Sequence, residues 1–125
     1  MTIRKQSQTI FTSAARIATI VSPVLSSQEV ISSIFTINVT ATASTPSVVF
    51  SIEGKDPLSK AFYNIIDSAA ITATSTTTIQ VGMNIIAAAN VAANEMLPEE
   101  YRITATHGDA DSITYSVGAV HMVER

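Results

Sequence analysis

The fold class is decided by residues 97–120, which read LPEEYRITATHGDADSITYSVGAV. Apolar and polar side chains alternate over residues 101–107 and again over residues 113–119, and a Gly/Asp-rich segment, 108–111, lies between these runs. Alternation with a period of two is typical of a β-strand with one buried face, and a Gly/Asp cluster is typical of a turn. The stretch therefore predicts two antiparallel strands joined as a β-hairpin.

The same alternation recurs earlier in the chain. Over residues 30–42 it places Phe35, Ile37, Val39 and Ala41 on one face, and a second alternating run covers residues 48–53. Shorter apolar runs that also predict strands lie at 8–12, 16–21, 61–66 and 79–81. Many short strands separated by turn residues predict an all-β protein, an antiparallel immunoglobulin-like β-sandwich of about seven to eight strands with an extended N-terminal arm.

Two details refine this prediction. Residues 84–96 are rich in Ala, which favours helix, but they also hold three Asn, so a loop with at most a short helical turn is expected. Tyr101 begins the predicted penultimate strand, where immunoglobulin-like sandwiches place a tyrosine whose hydroxyl bonds back to the preceding loop. The chain has neither Cys nor Trp, so an antibody-type domain is not expected.

Composition bounds the class of protein. The 125 residues suffice for one domain with its own core, and only 14% of them are charged, against roughly 25% in soluble domains. Such low charge favours a chain that is assembled with partners. A net charge of −3 argues against nucleic-acid binding. No apolar run is long enough to span a membrane, and the first residues lack the apolar core of a signal peptide.

The N-terminal segment is basic, whereas the rest of the chain is acidic. Residues 1–28 carry Arg4, Lys5 and Arg16 and no carboxylate. We therefore divide the chain into a basic arm, residues 1–13, and a single β-sandwich domain, residues 14–125. The three cations are the candidate partner-binding residues, in an arm that crosses onto a neighbouring acidic subunit. The alternative is an ordinary solvated terminus.

Residues 107–111, HGDAD, form the best candidate for a chemical site. The carboxylates of Asp109 and Asp111, close to His107, are suitable ligands for a hard cation such as Ca²⁺. The favoured alternative is a simple turn, in which Asp side chains bond to their own backbone. His107 is in phase with buried strand positions, so a partly buried ring with bonded nitrogens is expected. No catalytic residue, resident metal or cofactor is predicted.

Three stretches carry a resemblance to a known family: SVVFSIEGKDP at 47–57, AAANVAANEMLP at 87–98 and YRITATHGDADSITYSVGA at 101–119. They resemble a family of small β-sandwich structural proteins encoded in the virion-morphogenesis regions of tailed bacteriophages. The resemblance covers roughly residues 9–120. It departs from the family at Tyr101, where Trp is common.

The resemblance implies a non-enzymatic virion structural protein, a capsid decoration or cement protein on the outside of the head. The implied partners are the major capsid protein and neighbouring copies of the chain, in a trimer or a dimer. The implied location is the capsid surface, after synthesis in the host cytoplasm. Two alternatives stay open: a structural protein of the tail or head–tail connector, and a carbohydrate-binding β-sandwich module.

Overall fold

The computed structural model describes residues 2–124, and every regular element in this part of the chain is a β-strand. The strands are β1 (Ile3–Arg16), β2 (Ile20–Val21), β3 (Leu25–Ser26), β4 (Val30–Thr42), β5 (Val48–Lys55), β6 (Phe62–Asp67), β7 (Ser75–Gly82), β8 (Ala92–Asn94), β9 (Glu100–His107) and β10 (Ile113–Glu124). The predicted all-β class is confirmed. Within residues 2–124 no helix is long and apolar enough to cross a membrane.

The strands form two five-stranded sheets. One sheet has the order β1-β10-β4-β7-β8, and the other has the order β2-β9-β5-β6 with β3 also paired to β9. All pairs are antiparallel except β7 with β8. The two sheets are therefore antiparallel in the main, as predicted.

The sheets pack face to face through one apolar core. Phe35 of β4 meets Tyr101 of β9 edge to face, with ring centroids 5.9 Å apart, and Phe50 of β5 meets Tyr115 of β10 at 4.9 Å. These aromatic pairs join one sheet to the other, and edge-to-face contact is a favoured geometry for such rings. The predicted alternation is confirmed in β5 and in β4 as far as Val39, because the in-phase apolar residues are buried. It is wrong for Ala41, which is exposed beyond a register shift between β4 and β10.

The predicted hairpin over residues 97–120 is wrong in its pairing, although both of its strands exist. β9 and β10 belong to different sheets, so the turn at 108–112 carries the chain from one side of the core to the other. Period-two alternation shows which side chains share a face. It does not show which strand lies alongside, because the two sheets bury their inner faces in the same way.

The strand order is not the immunoglobulin-like order. Immunoglobulin sandwiches place their last two strands side by side in one sheet. Here four antiparallel pairs are nested along the chain: β1 with β10, β2 with β9, β4 with β7, and β5 with β6. This nesting is the strand order of a jelly roll, with β3 and β8 as short additions. The expected tyrosine corner is also wrong, because the Tyr101 hydroxyl bonds to Gln8 on the facing sheet.

The first strand is longer than the sequence indicates. Residues 3–16 pair with β10 along nearly their whole length, with register shifts between Thr9 and Phe11 and between Phe11 and Ala14. Ile10 and Phe11 are buried in the core, whereas residues 3–7 are exposed. The described part of the proposed arm, residues 2–13, therefore lies almost wholly within an edge strand of the sandwich. Met1 lies outside the described residues.

This placement predicts different outcomes for two truncations. Removing residues 2–7 deletes only exposed side chains, so the shortened chain should still unfold cooperatively, with a modestly lower Tm. Removing residues 2–13 also deletes Ile10 and Phe11 from the core, where the loss of a buried Phe alone costs about 3–5 kcal/mol. Thermal unfolding followed by circular dichroism measures both. A cooperative transition near the full-length Tm for the longer truncation would show that residues 8–13 do not belong to the core.

Candidate functional site

The three candidate partner-binding cations have two different environments. Arg4 and Lys5 lie on the exposed first half of β1, and neither makes an ion pair within residues 2–124. Arg16 ends the same strand, some forty ångströms of extended chain away by the usual rise of about 3.3 Å per residue. The structure therefore leaves Arg4 and Lys5 exposed and without ion-pair partners among residues 2–124, and it separates Arg16 from them.

Arg16 is occupied within its own chain. Its guanidinium donates to the carbonyl oxygens of Thr12 at 2.8 Å, Ala14 at 3.1 Å and Tyr115 at 2.9 Å. It also lies 4.6 Å from the ring centroid of Tyr115 and 5.3 Å from that of Phe11. Two of these bonds take up the carbonyl groups of Thr12 and Ala14 on the edge strand, so Arg16 closes that part of β1 against further strands.

The candidate cation ligands, Asp109 and Asp111, lie in a turn that is held by hydrogen bonds. Asp109 accepts a 3.0 Å hydrogen bond from the backbone N–H of Asp111. Asp111 in turn accepts bonds from the backbone N–H of Thr45 at 3.2 Å and from its hydroxyl at 3.4 Å, so it joins the 108–112 turn to the neighbouring 43–47 loop. Among residues 2–124 no three His, Cys, Asp or Glu side chains are grouped closely enough to hold a metal.

His107 spans the two sheets at this end of the core. Its Nε2 lies 3.0 Å from the hydroxyl of Tyr115, while its buried Nδ1 has no hydrogen-bond partner in the described part of the chain. Burial lowers the pKa of His107, opposed by the nearby Asp109 carboxylate and assisted by Arg16. Burial also raises the pKa of Tyr115 to about 12. The expected partly buried ring is present, with one nitrogen bonded instead of two.

The other histidine, His121, is fully buried and lies at the centre of a polar cluster. Its Nδ1 lies 2.6 Å from the Ser33 hydroxyl, and its Nε2 lies 2.8 Å from the side-chain oxygen of Gln8. Because an amide oxygen only accepts, Nε2 carries the proton and Nδ1 accepts from Ser33. Tyr101 also donates to this Gln8 oxygen at 2.5 Å. Burial lowers the pKa of His121, which favours the neutral form of the ring.

Ser33 and His121 are as close to each other as a catalytic nucleophile and its general base, but their surroundings are not those of a catalytic site. Both side chains are only about 2% exposed, so a substrate does not reach them. A hydrolytic base also needs an orienting partner on its second nitrogen, usually a carboxylate, and here that partner is the amide of Gln8. The cluster satisfies buried polar groups between the sheets.

The sequence held a signal for this cluster. Residues 101–107, YRITATH, and residues 115–121, YSVGAVH, share the pattern of Tyr, then Ala four positions later, then His two positions after that. The structure pairs the two copies crosswise, Tyr101 with His121 and Tyr115 with His107. The alternation of β10 also continues through His121 to Val123, beyond the expected end of the strand.

Large apolar side chains are exposed at the end of the sandwich opposite the 108–112 turn. We name this region the apolar end and define it by the loops 56–61, 83–91 and 95–99. Its exposed side chains are Leu58, Met83, Ile86, Val91 and Met96. Leu58 and Ile86 are each 91% exposed, a value close to that of an isolated side chain in water. Exposed apolar side chains also occur elsewhere on the sandwich, for example at Ile3 and Ile17, but none of those is as exposed as Leu58 and Ile86.

The loop that carries Leu58 is held by its own hydrogen bonds. The Asp56 carboxylate accepts from the Ser59 hydroxyl at 2.5 Å, from the Ser59 N–H at 3.0 Å and from the Leu58 N–H at 3.5 Å. These bonds, with the Ser59 hydroxyl first, lower the pKa of Asp56. The backbone N–H of Asp56 also donates to the Ala61 carbonyl at 2.8 Å. Leu58 is therefore presented to solvent by a closed turn.

The loop that carries Ile86 is held at both ends. The Asn94 side chain accepts a 3.0 Å bond from the backbone N–H of Asn84, and the Asn90 side chain donates at 3.0 Å to the carbonyl of Asp67 on β6. Asn84 and Asn90 both have positive φ, which Asn tolerates better than most residues. The loop is thus fixed to the body of the sandwich while Ile86 remains exposed.

A cleft of about 350 Å³ opens beside the Leu58 loop. Its lining includes Pro57, Tyr63, Met96 and Pro98, with charged groups on the rim. The Tyr63 ring lies over Gly54, where an added Cβ would be 2.6 Å from the ring, so glycine is what permits this position. The cleft is therefore an apolar opening with a polar rim.

A scan of the chain against protein-family models finds no matching family, and a search of curated proteins finds no match.

The two neutral histidines predict a stability that depends on pH. Their pKa values are lowered in the folded chain, and an unfolded histidine titrates near about 6.5, so the unfolded state binds more protons as the pH falls below that value. The free energy of unfolding should therefore be steady above about pH 7 and fall below about pH 6.5, by at most about 1.4 kcal/mol per histidine per pH unit, and Tm should fall with it.

The matched control is the double variant His107→Gln/His121→Gln. Its Tm at neutral pH should be lower, because bonds between the sheets are lost, but the change of Tm between about pH 7 and pH 5.5 should be much smaller than in the natural chain. Calorimetry across this range measures both proteins. Equal pH slopes for the two proteins would contradict a neutral, buried state for these rings.

Proposed function

We propose that this chain is a non-enzymatic structural protein of a tailed-phage virion, a decoration or cement protein that binds the major capsid protein on the outside of the head. The observation that carries this proposal is the exposure of Leu58 and Ile86 on loops held by their own hydrogen bonds. A fixed apolar side chain in water is a poor feature of a free monomer and a good anchor for a partner.

Burial of these anchors supplies binding energy. Covering a leucine or isoleucine side chain contributes about 1.5–3 kcal/mol before the costs of association are subtracted. A few such anchors give only modest affinity for one contact. On a symmetric shell the contact is repeated many times, and linked copies gain strength through avidity. Modest anchors on a rigid scaffold therefore suit a protein that coats a regular surface.

Composition and fold agree with this role. Only 14% of the residues are charged, and burying an uncharged Ser or Thr hydroxyl at an interface costs less than burying the charge of Lys or Glu. Jelly-roll sandwiches occur in viral capsid domains and in lectins, which is an analogy of fold alone. The phage context comes from the resemblance of residues 47–57, 87–98 and 101–119, and with it the capsid-surface location.

The free cations of β1 add a second kind of contact. Arg4 and Lys5 lie on an exposed strand without ion-pair partners in residues 2–124, and the body of the chain is acidic. Complementary charge steers association and fixes register more than it adds affinity. We assign Arg4 and Lys5 to contacts with acidic neighbours in the assembly, whereas Arg16 is already used within its own chain.

One observation favours the carbohydrate-binding alternative. Tyr63 is 49% exposed and lines the cleft of the apolar end, so its ring is available to stack on a sugar. The neighbouring Phe62 is not available in this way, because the Arg102 guanidinium lies 3.7 Å from its ring centroid. Sugar binding on a glycan array that is lost in Tyr63→Ala would support this alternative.

The decoration role predicts loss of head binding in Ile86→Asp. A carboxylate at the anchor position must be desolvated on binding, so affinity for purified heads that lack this chain should fall by about tenfold or more. Thr72→Asp is the matched control, because it adds the same charge at an exposed position on the opposite end of the sandwich. Co-sedimentation with heads measures both variants.

Two results would contradict the decoration role. One is equal head binding by Ile86→Asp and the natural chain. The other is an image of purified virions that places the chain in a single ring at the tail or connector, which would favour the tail or connector alternative.

A further inference from the structure

We propose that an extended acidic segment of a partner protein adds to the open edge of β1 as a further strand, along residues 3–9. Main-chain pairing at a sheet edge is a common way for a folded domain to bind an extended segment. Strand addition here rests on the assignment of Arg4 and Lys5 to acidic neighbours under the proposed function, and it specifies the form of that contact.

The open edge of β1 is a bounded segment. Within residues 2–124 the strand pairs with β10 alone, and its register is continuous over residues 3–9. A register shift follows this stretch, and further along Arg16 takes up the carbonyl groups of Thr12 and Ala14. Residues 3–9 are therefore the regular part of the edge whose main chain can accept a strand.

The hydrogen bonds of β10 show which residues of β1 face the open edge. The N–H of Glu124 donates at 3.0 Å to the carbonyl of Glu29, on the side of β10 where β4 lies. Successive residues of an antiparallel strand bond to opposite neighbours, so Val123 points to β1 and bonds there with Arg4. Every second residue from Arg4 is bonded to β10 in the same way. The residues whose N–H and C=O groups face the open edge are Ile3, Lys5, Ser7 and Thr9.

The side chains along this segment favour an acidic strand. Arg4 and Lys5 are exposed and make no ion pair within residues 2–124, and as neighbours in a strand they lie on opposite faces of the sheet. An incoming strand with two adjacent carboxylates presents one to each face, so both cations gain a partner. Opposite charges across a strand pair stabilise the pairing, and like charges destabilise it.

The next position of the incoming strand is best filled by an apolar residue. Ile3 is 57% exposed and lies on the same face as Lys5, two residues away. An apolar side chain opposite Ile3 covers it, so the favoured segment has two adjacent acids followed by an apolar residue. A second copy of β1 is a poorer occupant, because residues 1–28 carry three cations and no carboxylate.

The first test is an NMR titration of the isolated natural chain with a short peptide of Thr, Glu and Val that has Glu-Glu-Val at its centre. The control peptide has Lys in place of both Glu. We expect amide shifts confined to residues 3–9, slower hydrogen exchange at the N–H groups of Lys5 and Ser7, and at least about tenfold weaker binding of the control peptide. No shifts in residues 3–9, or equal binding of the two peptides, would overturn the proposal.

Proline substitutions separate the open edge from the fold. The N–H of Ser7 faces the open edge, where proline is tolerated, so Ser7→Pro should keep a Tm close to the natural value while peptide affinity falls by about tenfold or more. Gln6→Pro is the matched control, because its N–H faces β10 and its loss should lower the Tm. Ser7→Ala should bind the peptide as the natural chain does. Natural peptide affinity in folded Ser7→Pro would contradict main-chain pairing at this edge.

A charge reversal tests the choice of an acidic occupant without changing the main chain. Arg4→Glu/Lys5→Glu alters only exposed side chains, so the variant should fold like the natural chain. It should bind the control peptide more tightly than the acidic one. An unchanged preference for the acidic peptide would contradict recognition through Arg4 and Lys5.

Head binding distinguishes this contact from the decoration role. If the peptide tests fail while Ile86→Asp still loses head binding, strand addition is overturned and the decoration role stands. If the peptide tests succeed while the natural chain does not bind heads, the decoration role is wrong and the acidic segment belongs to another partner. A dimer of the natural chain that is lost in Ser7→Pro, measured by sedimentation velocity, would assign the edge to a second copy and overturn the acidic occupant.

Discussion

The structure depends on two tyrosines whose hydroxyls are carried into the region between the sheets. Tyr101 and Tyr115 lie in the core, and an unsatisfied hydroxyl there would cost about 1–3 kcal/mol. The Tyr115 hydroxyl meets Nε2 of His107, and the Tyr101 hydroxyl donates to Gln8 beside His121, so each hydroxyl finds its partner on the opposite sheet. These bonds form only when β9 faces β1 and β10 across the core, so they help to fix the relative position of the sheets.

The passage of the chain from one sheet to the other between β9 and β10 also determines which parts of the chain can vary. With β9 and β10 in opposite sheets, the connections gather at the two ends of the sandwich, away from the aromatic core. One end is closed by Asp111, which joins two turns. The other end carries Leu58 and Ile86 on separate loops. A core fixed by directional bonds therefore allows one end to expose apolar side chains without loss of the fold.

The periodicity of the sequence predicted which side chains are buried. It did not predict which strands pair with each other. The buried faces around Phe35 and Phe50 were correct, because alternation in a strand is a property of local chain geometry. The hairpin and the immunoglobulin-like order were wrong, because strand pairing depends on contacts far apart in the chain. The repeated Tyr/His pattern was visible in the sequence, but its meaning required knowing that the two strands face each other. The exposure of Leu58 and Ile86 was not predictable, because the sequence of a loop does not show whether its apolar side chain is buried or exposed.

Exposed apolar side chains and a long edge strand can both lead a β protein to aggregate, and the two features have different surroundings in this structure. At the end of β1, Arg16 occupies the edge carbonyls of Thr12 and Ala14, which restricts the addition of further strands. At the apolar end there is no such cover, and the Leu58 loop is instead held rigid and flanked by charge. A surface that was merely tolerated would have been expected to receive the same protection as the edge. The contrast agrees with the proposal that the apolar end binds a partner, although apolar side chains such as Ile3 and Ile17 are also exposed elsewhere.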